Sequence, residues 1–508
     1  MSHTLIRRDG IILAAILVLA AVLRFVGLSG RGEWDDDQGN ELLTMLHWVR
    51  DGEVPLLGPV SSFGAAHHGV GFFWLLAPSA FLTDTNPVAA LATVAVVGVA
   101  GVAATWWLGR TVGGALAGHV AGLLMAVSPS SISASTVLWN PDIVAPGAAL
   151  AAAAGWHAWR TRQARWWLPS AAGALLALHG HMLAVIIVVP LIVLLVADVL
   201  RRPRSDRRRM LAPVLGSAAI VAVGCVPLLV HELRSDFSET RAIVEYATGP
   251  AAYGRTPPPL PIVALPIIAW RIIIWPISGL FASAPLLGLP AAILVVGALA
   301  VAAAGTQGIA RQFGRWAAAT TVWAAVALTL ISPSLALTIP GLPNDQYHAW
   351  LDPILFAVIG VAVVTLSAAP HALVGRSAAV AMVAACVVLS VLAMPPLASP
   401  DGGWRRAAES AARIRSVTGD HPTAVTGVAK SGGALEFPLR RQGTPITVPS
   451  AAEYLVVSCD PLFERGVGMR CGGAAEEAIA HQLGYPPTRL VDRFADSPRR
   501  VVSVFARH

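Results

Sequence analysis

The residues best suited to chemistry gather in a few short runs. Glu33-Trp34-Asp35-Asp36-Asp37-Gln38-Gly39-Asn40-Glu41 places five carboxylates within nine residues. Like charges crowded under a low-dielectric cover disfavour ionisation of one member and lift it toward the range of a general base. Asp36 and Asp37 are therefore candidate catalytic residues. Paired Asp carboxylates also suit a divalent cation, and a solvated acidic turn is the plain alternative. Gly58-Pro59-Val60-Ser61-Ser62-Phe63-Gly64 leads to His67-His68-Gly69 and the aromatic stretch Phe72-Phe73-Trp74. In Trp139-Asn140-Pro141-Asp142 the acid either caps the helix that follows or faces a substrate. His179-Gly180-His181 ends one apolar run, and Asn344-Asp345-Gln346-Tyr347-His348-Ala349-Trp350 opens another. From these runs Asp142, Asn140, His68, His181 and Tyr347 are the candidate substrate-binding residues.

Such groups need elements to hold them, and those elements are apolar. Of 508 residues 55% are hydrophobic and 13% charged, with a mean hydropathy of +0.65. That leaves too little polar surface for a soluble domain of this size. Apolar runs of spanning length recur near 11–28, 87–108, 114–128, 143–159, 166–180, 182–200, 211–231, 284–304, 316–333, 351–368 and 377–396. The expected fold class is a polytopic α-helical membrane protein with about eleven transmembrane helices. The first run follows Arg7 and Arg8, but no small-residue cleavage site succeeds it, so it reads as a retained helix. Residues 262–281 are apolar enough to span, yet carry Arg271, Pro266 and Pro276. Counting them as a crossing would separate Arg311 and Arg315 from the other arginines, so a partly embedded or re-entrant piece is expected.

The net charge of +7 and pI of about 9.8 come from arginines between the apolar runs: Arg110, Arg160–Arg165, Arg201–Arg209, Arg311–Arg315 and Arg376. That is an orientation signal for the cytosolic side, not a nucleic-acid surface, and no nucleic-acid partner is expected. Every unusual polar run then lies on the outer side, the first of them in a long loop over 29–86. Residues 1–397 read as the transmembrane part. From 398 to 508 the composition becomes that of a soluble domain, with a helical stretch (Trp404–Val417) and short β-like runs at Ala424–Val428, Tyr454–Ser458 and Val501–Phe505. A small α/β domain outside the cytosol is expected, where Cys459 and Cys471 could pair. Cys225 and Cys386 fall within apolar runs and read as packing residues.

In order and spacing these features resemble the class C glycosyltransferases, and among them family 39, with its protein O-mannosyltransferases and lipid A aminoarabinose transferases. The likeness runs from Leu23-Arg24 through about Trp350. The tail from Trp404 resembles the extracytoplasmic domain of many bacterial members. The family's acidic motif after the first span is commonly Asp-Glu; here Asp36-Asp37-Gln38 has an amide in place of the second acid, which puts a metal requirement in doubt. Asp37, Gly58-Pro59, Ser62, His68-Gly69 and Trp139-Asn140-Pro141 are similar to a bacterial subgroup with Asp-Gln, and Asp142 matches a second family acid. The resemblance implies an enzyme that moves a sugar, with inversion, from a polyprenyl-phosphate donor to an extracytoplasmic acceptor: an envelope glycan, lipid or protein. It implies an Asp as base and cations for the departing lipid phosphate. Arg24 fits the family's Leu-Arg position, and Arg241, Arg255 and Arg271 are the other outer-side cations. The rival reading, a transporter or flippase of a lipid-linked glycan, favours acids deep within helices, whereas these lie beyond helix ends. An Arg-, Ala- and Gly-rich, Lys-poor composition fits a high-GC bacterium, hence a multi-pass protein of its plasma membrane.

Overall fold

The structure, a computed structural model, describes residues 3–61, 66–248, 259–279, 285–305, 307–337, 345–428, 432–461, 464–497 and 500–507. Ser62, Arg255 and Asn344, singled out in the sequence, lie outside the described residues.

The apolar runs become helices. The chain opens with α1 (His3–Phe25) and two helices of the first long loop, α2 (Asp36–Asp51) and α3 (Gly71–Thr83). Next come α4 (Pro87–Gly113), α5 (Ala115–Val127), the short α6 (Pro129–Ser133), α7 (Val144–Thr161), α8 (Trp167–Gly180) and α9 (Val188–Leu200). The short α10 (Arg204–Arg207) precedes α11 (Leu211–Arg234), α12 (Ser238–Thr248), α13 (Pro261–Ser278), α14 (Pro285–Ala304), α15 (Gly308–Ile331), α16 (Asp352–Ser367) and α17 (Ala372–Leu392). Among the described residues eight helical segments are long and apolar enough to cross a membrane, so this is a multi-pass membrane protein. The eleven spans expected from sequence exceed that number partly because α5 and α8, at 13 and 14 residues, fall short of full spanning length.

Chain ends of the helices sort into two groups. At one end Arg160 Nη1 donates to the Thr111 carbonyl at 2.9 Å, Arg202 Nη1 to that of Arg162 at 2.9 Å, and Trp159 Nε1 to Gln312 Oε1 at 3.1 Å. The arginine clusters thus share one end of the bundle. The other end, termed here the site end, gathers the α5–α6 turn, the start of α7, the α8–α9 corner and the start of α16. Of the 262–281 run, the residues through Ser278 form one continuous helix, α13 (Pro261–Ser278), which is itself among the eight segments. Its second half meets site-end groups: Ser128 Oγ donates to the Pro276 carbonyl at 2.8 Å, and Arg271 Nη1 to that of Leu335 at 3.0 Å. Small residues let helices approach closely. A Cβ on Gly147 of α7 would sit 2.7 Å from the Ala177 nitrogen of α8.

The tail holds α18 (Gly403–Thr418), β1 (Thr423–Gly427), α19 (Gly433–Arg441), β2 (Tyr454–Cys459), α20 (Glu464–Val467), α21 (Ala474–Gln482), β3 (Leu490–Ala495) and β4 (Val501–Ala506). The sheet order is β1-β2-β4-β3, with β1 and β2 parallel and the other pairs antiparallel. Alternation along β2 feeds two small cores. Val456 packs with Ile414 of α18 and Leu435 and Leu439 of α19, whereas Leu455 and Val457 pack with Ala475 and Ala480 of α21. Cys459 and Cys471 form a disulfide beside the second core.

Candidate functional site

Helix α2 begins at the acidic run because that run caps it. The Asp35 side chain accepts the Asp36 N–H at 2.8 Å, and Gln38 Oε1 accepts the Asp35 N–H at 2.8 Å, closing a capping box. The Gln38 amide therefore has a structural task. Helical spacing separates the remaining acids. Asp37 and Glu41, four residues apart, share a face, while Asp36 turns to the C-terminal domain, where its Oδ1 accepts the Ala434 N–H at 3.2 Å. Asp36, the catalytic candidate beside Asp37, is buried against α19 and takes part in a clamp there. Trp34 joins that clamp through a 2.8 Å bond from Nε1 to the Ala434 carbonyl and by packing on Trp404 and Phe437.

Asp37 is exposed, whereas Glu41 is 3% exposed, with the Asn140 backbone N–H as the group that offsets its burial in part. Burial, and then the Asp37 charge, hold the Glu41 carboxyl well above the usual carboxylate range. Asp142 is raised in the same way, first by burial and then by Glu41 and Asp345, against the Trp139 N–H that its Oδ2 accepts at 3.1 Å. Burial raises Asp345 too, with Arg271 pulling the other way. The acids thus form a linked row: Asp37, Glu41, Asp142, Asp345.

Two imidazoles and a phenol stack beside this row. The His68 ring lies 4.9 Å from that of His181, which lies 5.1 Å from Tyr347. Burial, then neighbouring His67, brings His68 down to about 4, and burial, then His68, holds His181 well below its ordinary value. Both rings are neutral near pH 7. His181 Nδ1 accepts the Leu183 N–H at 3.2 Å, which leaves Nε2 to carry the proton and donate. Asn140 Nδ2 donates to the Gly180 carbonyl at 2.5 Å and so ties the Asp142 turn to the His181 corner. Buried Arg271 stands 5.0 Å over the Trp275 ring, and His348, fully buried beside Trp275, completes the floor.

The structure therefore brings together Asp37, Asp142, His68, His181 and Tyr347, with Asn140 as a tie. Arg24 is a different case. It is fully buried; its Nε donates to Ser135 Oγ, its Nη1 to the carbonyls of Ala20 and Ala126, and its Nη2 to the Met125 carbonyl and Ser131 Oγ, all within 2.8–3.2 Å. Those bonds occupy the whole guanidinium fork, so no donor remains for a phosphate. Arg24, expected from the resemblance to hold lipid phosphate, pins α1 to the α5–α6 turn. Arg241 sits at the surface of α12, paired with Asp236 at 2.6 Å. Glu41, Asp345, His348 and Asp352 were not selected from sequence. The four-residue spacing from Asp37 to Glu41 was the available signal, as was the polar run from Asp345 to His348. Asp352 accepts a 3.4 Å bond from Ser130 Oγ. Among the described residues no three His, Cys, Asp or Glu side chains are arranged to hold a metal ion.

Residues 67–231 match a family model described as dolichyl-phosphate-mannose-protein mannosyltransferase. No curated protein sequence matches the chain. Among solved structures it is similar to ArnT from Cupriavidus metallidurans bound to undecaprenyl phosphate, with a TM-score of 0.60 and 16% identity over 97% of each chain. It is also similar to the arabinofuranosyltransferase AftD from Mycobacteria, with a TM-score of 0.55 and 14% identity over 100% of this chain and 40% of that one. A third likeness is to the archaeal oligosaccharyltransferase AglB from Archaeoglobus fulgidus in complex with an inhibitory peptide and a dolichol-phosphate. There the TM-score is 0.52, with 10% identity over 91% of this chain and 70% of that one.

Proposed function

Because the chain has the class C glycosyltransferase fold and resembles family 39, we propose that it transfers a sugar from a polyprenyl-phosphate donor to an extracytoplasmic acceptor, with inversion. The observation that carries this reading is the row of buried acids beside a neutral His68–His181–Tyr347 stack at one end of the bundle. Asp37 is the exposed member of the row and the one an acceptor can reach. It takes the proton of the acceptor hydroxyl or amine as the acceptor lone pair bonds to the anomeric carbon. The carbon–oxygen bond to the lipid phosphate breaks, and the phosphate leaves with the electron pair.

Burial favours the protonated forms of Glu41 and Asp142, which limits the negative charge next to an anionic donor. The departing phosphate needs donors, and His181 Nε2–H, the Tyr347 hydroxyl and the Arg271 guanidinium supply them. No step is assigned to a divalent cation. The arginine clusters at the far end of the bundle support an outward-facing site in a bacterial plasma membrane. The Cys459–Cys471 disulfide supports an extracytoplasmic domain over 398–508, attached to a transmembrane part over 1–397. The test is Asp37→Asn protein incubated with a panel of labelled polyprenyl-phosphate sugars and membrane extract. Transfer should fall by about a hundredfold to ten-thousandfold, with undecaprenyl phosphate affinity little changed. Transfer at the parent rate would remove Asp37 from the role of base.

A further inference from the structure

His68 reaches the site on a strap between α2 and α3, 58–61 and 66–70 among the described residues, that contains no helix and a single bridge, Val60 with His67. The strap closes on itself: the Gly58 N–H donates to the His68 carbonyl at 3.0 Å, and the His68 N–H to the Pro59 carbonyl at 2.9 Å. Those bonds fix His68 relative to its own loop, but they do not place the loop over the site. Two side chains from elsewhere do that. His179 Nδ1 of α8 accepts the Gly71 N–H at 2.6 Å. On the other side Glu239 of α12 takes hold of His67, its Oε2 accepting the backbone N–H at 2.6 Å and its Oε1 the ring Nδ1–H at 2.9 Å.

Glu239 is itself immobilised. Only 6% exposed, it stands at the α11–α12 corner, where Glu232 Oε1 accepts its N–H at 3.0 Å, and His231 Nε2 lies 4.0 Å from its carboxylate. A carboxylate that binds both a backbone N–H and a ring N–H of one residue sets that residue's position and orientation, and charge-assisted bonds of this kind are about twice as strong as neutral ones. The residue after the gripped one is His68, whose ring must lie against His181.

We propose that Glu239 is a positioning residue, which by clasping His67 holds His68 in register with His181 for the lipid phosphate. The inference rests on the function proposed above. It assigns the α11–α12 corner a share in building the donor site.

The test uses full-length protein in detergent and undecaprenyl phosphate as probe, with binding read by tryptophan fluorescence in a double-mutant cycle. Glu239→Ala should weaken binding by about tenfold, the scale of one lost charge-assisted bond. His68→Ala should weaken it comparably, and Glu239→Ala in the His68→Ala background should add less than twofold. Glu239→Gln, whose amide oxygen can accept the backbone N–H while its NH2 donates to the ring Nδ1 in the other tautomer, should recover most of the affinity. Should the alanine variant not fold, Glu239→Asp retracts the carboxylate by one methylene and should show the same dependence on His68. Equal losses in both backgrounds would overturn the proposal and leave Glu239 a purely structural residue. Parent protein that fails to bind the probe would overturn the donor reading itself, a result separable from the first.

Discussion

Gly39 of the acidic helix packs directly on the backbone of Gly433 in the C-terminal domain, and this gives a sharp prediction for Gly39→Ala. A Cβ at Gly39 would lie 2.1 Å from the Gly433 carbonyl oxygen, 2.2 Å from its carbon and 2.6 Å from the Ala434 nitrogen. All three are backbone atoms, so no side chain can swing aside, and ordinary contact requires a separation more than 1 Å larger. Helix α2 is fixed by its capping box, so α19 must retreat, and the Asp36–Ala434 and Trp34–Ala434 bonds are lost with it. Two net hydrogen bonds at about 1 kcal/mol each, with overpacking strain of about 1–3 kcal/mol, outweigh the roughly 1 kcal/mol that alanine gains over glycine inside a helix. The net loss is about 3 kcal/mol at the interface. If α2 yields as well, Asp37 moves, and a displacement of about 1 Å at a catalytic group costs on the order of a hundredfold in rate. Gly433→Ala is the matched comparison: its Cβ would meet the Asn40 side chain at 2.4 Å and backbone only at 3.1 Å, at the Asp36 carbonyl oxygen. Limited proteolysis and thermal unfolding in detergent, together with the transfer assay, should show Gly39→Ala strongly impaired and Gly433→Ala mildly so. Equal behaviour of the two variants, or a Gly39→Ala protein as stable and active as its parent, would refute the argument.

Other outcomes follow from single groups. Arg24→Lys replaces a five-donor fork by three donors in a fully buried site and should lower the melting temperature markedly, while the protein that still folds binds undecaprenyl phosphate as before. The low pKa of His68, about 4 against 6.5 when unfolded, contributes stability above pH 6.5 that is lost as the pH falls through 4. The full difference is about 3 kcal/mol, so His68→Asn should flatten the acid side of a melting-temperature profile between those values. Cys471→Ser should destabilise the C-terminal domain by about 2–4 kcal/mol, seen as early loss of its unfolding transition and abolished sensitivity to reductant. A reporter fused after Arg209 should be active only in its cytosolic form, and one fused after the C-terminus only in its exported form.

What could be read in advance divides by the range of the interaction. Apolar periodicity and caps act over a few residues, so the span expected at 87–108 returns as α4 with Asn86 as N-cap and Pro87 in its first turn. The β-like runs at 424–428, 454–458 and 501–505 return as β1, β2 and β4. The strand β3 and the helix α19 were not read. In β3 the charged Asp492 and Arg493 break the apolar alternation, and α19 carries Pro438 within a nine-residue helix. The site shows the same division more strongly. That acids and histidines fall between apolar runs was visible, but which of them face a ligand depends on partners far along the chain. Arg24 is claimed by residues about a hundred positions away, and Asp36 by a backbone amide some four hundred away. The sequence alone presents Asp36 as a catalytic candidate and Arg24 as a phosphate-binding one, since a sequence shows a charge but not what satisfies it.

Glu41 illustrates the opposite error. In the sequence it is one carboxylate among five, and its neighbours look more reactive. In the folded chain helical spacing sets it on the Asp37 face, and burial outweighs what the Asn140 backbone N–H offers its carboxyl. A buried carboxyl in that state is costly unless protonated, so the site retains it at the expense of stability. Glu41→Gln keeps the shape and removes the ionisable group. The variant should therefore unfold at a higher temperature than the parent at pH 8, where the ionised form is most favoured, with the gain shrinking toward pH 5. A melting-temperature difference that is flat across this range would show that Glu41 does not exchange its proton there, and that its burial is already compensated.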